Sequence, residues 1–172
     1  MAASPPQPPL SAAEEFWKFS LDFYARPGVE AACLALQDRH GRDVNIMLYL
    51  CWLGLTARGR VDGAGLARAE EAMAPWRRAA IEPLRKARRD LNPAERQGVA
   101  ALYEAAKAIE LAAERMGQQQ LAALAPPPMP RLADAAAADA AANLTLYLAD
   151  PAAREAAAAL FAAIAPARPD AT

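Results

Sequence analysis

The chain has 172 residues, enough for one domain with a real core and marginal for two. Its formal net charge of −1 gives no global reason to expect a nucleic-acid or membrane-surface protein. Hydrophobic residues make up 55% and aromatics only 6%, so alanine supplies much of the apolar count and the core must rest on a few large side chains.

Residues 1–10, "MAASPPQPPL", read as a Pro-rich disordered lead without the basic and apolar regions of an export signal, which gives the expectation of a cytoplasmic protein. "SAAE" at 11–14 is a capping box, and the helix it opens runs to about Arg26 with Phe16, Phe19 and Phe23 on one side. Pro27 ends it. A second helix, roughly 28–40, carries Val29, Ala32, Cys33 and Leu36 on one stripe and stops at Gly41. Asp43 is a natural N-cap for a third helix that is apolar almost all round and therefore central. That apolar run, Val44 to Ala57, is too short for a bilayer and contains Asn45. Cys33 and Cys51 both fall inside apolar helical patterns, which suits free buried thiols in a reducing compartment; a disulfide is the other reading.

Asp62 caps a fourth helical stretch that runs to Leu91, with a kink or short break expected at Pro75 and Pro83. "NPAER" at 92–96 reads as the start of a helix reaching about Leu124, along which Val99, Leu102, Ala106, Ile109, Ala113 and Met116 recur at spacings of three and four. The small residues at 106 and 113 would let a partner helix approach closely. Residues 126–130 are a stiff Pro-rich linker. Beyond it, two Ala-rich helices at about 132–149 and 151–165 have too few large residues for a core of their own. The expected architecture is all-α: a single bundle of five or six helices over 11–125, a C-terminal helical hairpin over 131–165 docking on it, and a disordered tail at 166–172.

Two segments carry a family resemblance: Phe16-Trp17-Lys18-Phe19-Ser20-Leu21, and Leu36-Gln37-Asp38-Arg39-His40-Gly41-Arg42-Asp43-Val44-Asn45. In them the chain resembles a family of small helical bacterial proteins of unknown function, over residues 15 to about 125. The resemblance implies a helical bacterial protein and brings no activity and no catalytic residues.

"QDRHGRDVN" at 37–45 is explained in the main as a corner between two helices, with Gly41 turning and Asp43 capping. Asp38 fits less well, because a carboxylate in a helix's last turn opposes the dipole; it either pairs with a cation such as Arg26 or Arg42, or is held for a ligand. Asn45 is equally odd in a buried helix. On a helical wheel Asn45, Tyr49, Trp52 and Thr56 share one sector, and beside Gln37, Asp38, Asp43 and aromatics such as Trp17 or Tyr24 they make a candidate polar-tipped pocket. The simpler account is a half-exposed helix contact with each polar tip hydrogen-bonded. His40 is the only histidine, and neither a zinc or iron ligand set nor a phosphate loop nor a nucleophile motif is present in the sequence, so no metal or cofactor is expected. Along 76–90, Arg77, Arg78, Arg85, Arg88 and Arg89 form a candidate basic stripe opposite Met73, Trp76 and Leu84; a solvated face balanced by nearby acids explains it more simply.

The sequence supports three functional readings. The first is a non-enzymatic accessory module that binds another protein through helical faces, with a homo-oligomer as one form. The second is a small-molecule binding protein or enzyme using the pocket on the central helix. The third and weakest is nucleic-acid or ribosome association through the basic stripe.

Overall fold

The computed structural model describes residues 9–165, and over them the chain is all helical with no strand. The lead and tail expected to be disordered lie, apart from residues 9 and 10, outside the described residues. The helices are α1 (Ala12–Tyr24), α2 (Val29–His40), α3 (Val44–Leu55), α4 (Gly63–Trp76), α5 (Glu82–Asp90), α6 (Ala100–Ala123), α7 (Ala133–Tyr147), α8 (Pro151–Ala156) and α9 (Ala158–Ile164). Residues Arg77–Ile81 form a π-helical turn joining α4 to α5, so among the described residues these make eight continuous helical rods. Five of them fall within residues 11–125 and three beyond, one more than a hairpin, because the last Ala-rich helix breaks at Ala157.

Local sequence sets most boundaries. Ser11 Oγ accepts from the Glu14 amide at 3.3 Å while Glu14 Oε2 accepts from the Ser11 amide at 2.8 Å, so the capping box is complete. Gly41 ends α2 at a φ of +61°, a left-handed conformation that favours glycine. Asp43 Oδ1 accepts from the amides of Asn45 at 2.8 Å and Ile46 at 3.4 Å and starts α3. Pro75 sits inside α4 without ending it. Pro83 cannot donate and its ring crowds the carbonyl four residues back; the π turn before it widens the helix, with the Glu82 amide donating to the Arg77 carbonyl. "NPAER" departs from expectation. It forms only a capped turn, Asn92 Oδ1 accepting from Ala94 N at 3.2 Å, and Gly98 at a φ of +76° delays the long helix to Ala100.

Helix α3 is the centre, with every residue from Asn45 to Gly54 buried. Phe16 of α1 stacks on Trp52 at 4.9 Å and meets Tyr49 edge-on at 5.7 Å. The most extensive neighbour of α3 is α7. Gly54 permits this: a Cβ there would run into the backbone nitrogen and Cα of Ala140. Asn143 of α7 then donates to the carbonyls of Leu50 (3.2 Å) and Gly59 (3.1 Å) and accepts from Val61 N (2.8 Å). Asp139 takes both Arg60 (2.7 Å) and Arg131 (2.6 Å). An alanine-rich helix thus gains its place by close backbone approach and polar anchors rather than by bulk.

Cys33 and Cys51 are buried and free. Burial, and then the Glu30 charge, pushes the Cys33 thiol up to about 12, and burial raises Cys51 as well. Ellman's reagent at pH 8 is therefore expected to find no fast-reacting thiol in the folded chain and two after denaturation; rapid labelling of the native protein would contradict this packing.

Candidate functional site

The start of α3 and the faces of α1, α2, α5 and α6 line a groove of about 620 Å³. Its floor is polar. Ser20 Oγ of α1 donates to Gln118 Oε1 of α6 at 3.0 Å, and Gln118 Nε2 donates to Asn45 Oδ1 of α3 at 2.8 Å. All three residues are buried. The relay ties three helices together and leaves Asn45 Nδ2 without a protein hydrogen-bond partner among the described residues, at the bottom of the groove it lines. Asn45 sits in a buried helix because this relay satisfies its carbonyl.

The rim is apolar: Trp17 and Leu21 from α1, Leu34 from α2 and Leu111 from α6, the three leucines all exposed. Tyr24 lines the same wall; burial pushes its hydroxyl up to about 12, so it stays a neutral donor near pH 7. The opposite wall is charged. Glu110, buried on α6, accepts from Arg85 Nε at 3.1 Å and from Arg88 Nε at 2.5 Å, and Glu114 holds the other end of Arg85 at 2.9 Å. Burial raises the Glu114 carboxyl above its ordinary range, with Arg85 opposing. The groove's charged lining of Arg85, Arg88, Lys107, Glu30, Glu110 and Glu114 sums to zero.

A smaller cavity of about 110 Å³ adjoins it, sharing Gln37, Asn45 and Arg85 and adding Arg42, Asp43 and Arg77. Burial pushes the Asp43 carboxyl up against the pull of Arg77, whose Nε lies 3.2 Å from Asp43 Oδ2. The Nε atoms of Arg42 and Arg77 are buried and have no hydrogen-bond partner.

The candidate residues fall into separate places. Gln37 and Asn45 line the groove together with Trp17 and Tyr24, and Asp43 lines the smaller cavity. Tyr49, Trp52 and Thr56 line neither: the two rings pack on Phe16, and Thr56 Oγ1 donates to the Trp52 carbonyl at 2.7 Å. One helical sector divides because α1 covers its far end, where Arg58 also lies over the Trp52 ring at 4.4 Å. Asp38 is exposed; its nearest cation is Arg89, at 3.9 Å, rather than Arg26 or Arg42. His40 stands by Asp150, 3.7 Å away, and lines neither cavity.

The basic stripe is dispersed. The π turn inserts an extra residue per turn and rotates α5 relative to α4, so Arg77 turns to Asp43 and Glu70 while Arg85 and Arg88 turn to Glu110. Arg78 alone of the five has no ion pair among the described residues. The residues that sequence reasoning missed, Ser20, Glu110, Glu114 and Gln118, are polar groups on helix faces where apolar ones were sought. Among the described residues no cluster of three His, Cys, Asp or Glu side chains could hold a metal ion, and no helix is long and apolar enough to cross a membrane.

Fold and site together define an all-helical protein with a ligand-sized, apolar-rimmed groove over a polar floor. Residues 15–121 match a family described as a protein of unknown function (DUF2390), and the chain belongs to that family. No curated protein and no solved structure matches it. Every residue lining the groove lies inside the matched span, whereas α7 lies outside it.

Proposed function

We propose that the protein is a non-catalytic binding module of a bacterial cytoplasm, and that it takes a small organic molecule in the groove between α1, α2, α3, α5 and α6. The observation that carries this is the free Asn45 amide donor at the base of an apolar-rimmed groove of about 620 Å³, within the range of small-molecule sites. The lining calls for a molecule with an apolar body and a carbonyl or other acceptor head for Asn45 Nδ2. Zero net lining charge favours a neutral or zwitterionic one. Arg85 and Arg88 are committed to Glu110, so the wall presents dipoles rather than a free base or nucleophile. Buried free thiols suit the reducing compartment.

Native purification, denaturation and mass spectrometry of the released material give the test, run on wild type and on the exposed-rim variants Leu34→Arg and Leu111→Arg. Wild type is expected to release a molecule below the size of a peptide that both variants lack at unchanged stability. A molecule retained equally by the rim variants, or none from either, removes this role from the groove. Capture of a protein through the rim would favour the interaction-module reading instead.

A further inference from the structure

The long helix α6 is packed inside out. Its inward face buries Glu110 and Gln118 at 6% and 3% exposure, with Ala113 and Gly117 between them. Three of its large apolar side chains point the other way: Leu102, Ile109 and Met116 are 60%, 56% and 47% exposed, and only in the last turns does a large one, Leu121, turn inward. The seven-residue spacing of these three is that of one position in a coiled-coil heptad. The other seam position, three residues on, is alanine twice, at Ala105 and Ala112, both exposed. Ala101 and Ala108 flank the seam directly, and the charge nearest to it between Ala101 and Ala112 is Glu104, one position further out on the same side.

We propose that this face is where two copies of the chain pair, α6 against α6, antiparallel about a two-fold axis. The pattern selects that partner and orientation. In an antiparallel pair two of the three large positions face a small position of the other helix, Ile109 against Ala112 and Met116 against Ala105 in both directions, while Leu102 meets Gln119 at the outer end. A parallel pair would set large on large and small on small, leaving alternate layers overfilled and empty. A two-fold needs a self-complementary surface, and this one is self-complementary in one register. Charge agrees with it. Glu104 and Arg115 lie on the same flank of the seam, both exposed and neither ion-paired among the described residues; Arg115 rests on the Trp17 ring at 5.4 Å. The antiparallel register brings Glu104 of one copy within two residues of Arg115 of the other, twice, whereas a parallel one opposes like charges. A single 24-residue helix, about 36 Å long, offers a small interface, so the dimer is expected to dissociate in the micromolar range.

Sedimentation velocity on the full chain from low to high micromolar concentration tests this. Wild type should pass from monomer to dimer, and Ile109→Glu, at the centre of the seam and on an exposed position, should weaken association at least about thirtyfold with an unchanged unfolding midpoint. Orientation is read by cross-linking. A mixture of Ala105→Cys and Met116→Cys chains should form disulfide dimers faster than either alone, the native thiols being buried. A wild type that stays monomeric, a dimer that Ile109→Glu leaves intact, or faster self-cross-linking of Ala105→Cys would each overturn the proposal.

Discussion

Deleting everything after Ala125 is expected to leave a chain with no cooperative unfolding transition, although the deletion spares the whole family-matched span. The cause is the identity of the helix that covers α3. Leu144 and Leu148 at the end of α7, with Leu160 and Ile164 of α9, are buried side chains worth about 1.5–3 kcal/mol each. Their sum approaches the ~5–15 kcal/mol that a domain of this size has in total. Losing α7 also strips the Asn143 bonds from Leu50, Gly59 and Val61 and bares one side of α3. The same interface can be probed by one methyl group. Gly54→Ala would drive its Cβ into the backbone nitrogen and Cα of Ala140, and backbone cannot rotate away as a side chain can. Overpacking of that kind costs about 3 kcal/mol or more, and the better helix propensity of alanine offsets about 1. Urea denaturation should show a net loss of at least about 2 kcal/mol. Gly117→Ala is the control: its Cβ would meet the thioether end of Met73 at 2.9 Å, which can move, so the change should be close to neutral. Equal midpoints for the two variants would mean that α3 and α7 are not in the contact described.

Local chemistry was legible in the sequence and partner choice was not. The Ser11 box, the Gly41 stop, the Asp43 cap and the burial of α3 all depend on residues within a few positions of each other, and each is present. The site was half legible. Asn45 stood out because an amide inside an apolar helix needs a reason, but its reason is Gln118, 73 residues away, and no spacing could reveal that. Asp38 likewise finds Arg89 across the bundle. On α6 the periodic apolar residues suggested the buried face, and the structure places Leu102, Ile109 and Met116 outside and Glu110 and Gln118 inside. Periodicity shows that a face is apolar; it does not say whether this chain or another covers it. The Ala-rich end misled for a related reason. Alanine carries little transfer energy, so its value in close helix contact appears only when the opposing residue is known to be Gly54.

The largest effect at the groove itself is expected from Glu110. Replacing it by alanine leaves Arg85 with only Glu114 and Arg88 with no carboxylate, on a wall where Glu110 is 8% exposed at its side chain and the two arginines 15% and 27%. Breaking one partner of a buried ion cluster costs about 3–5 kcal/mol, because a charge stays behind desolvated. The effect belongs to the unpaired cations rather than to a missing attraction, and that is checkable. Arg88→Met combined with Glu110→Leu should recover most of the stability lost by Glu110→Ala, since the pair is then removed together and Arg85 keeps Glu114. A second readout separates this from simple loss of packing. Burial holds the Glu114 carboxyl high, Arg85 opposes, and the neighbouring Glu110 charge adds to the rise, so in Glu110→Ala the Glu114 titration followed by NMR should move toward lower pH. If the double variant is as unstable as the single one and Glu114 does not move, the wall is held by shape and not by this cluster. If both change as expected, Glu110 is the residue that keeps Arg85 and Arg88 in place and the groove open beside Asn45.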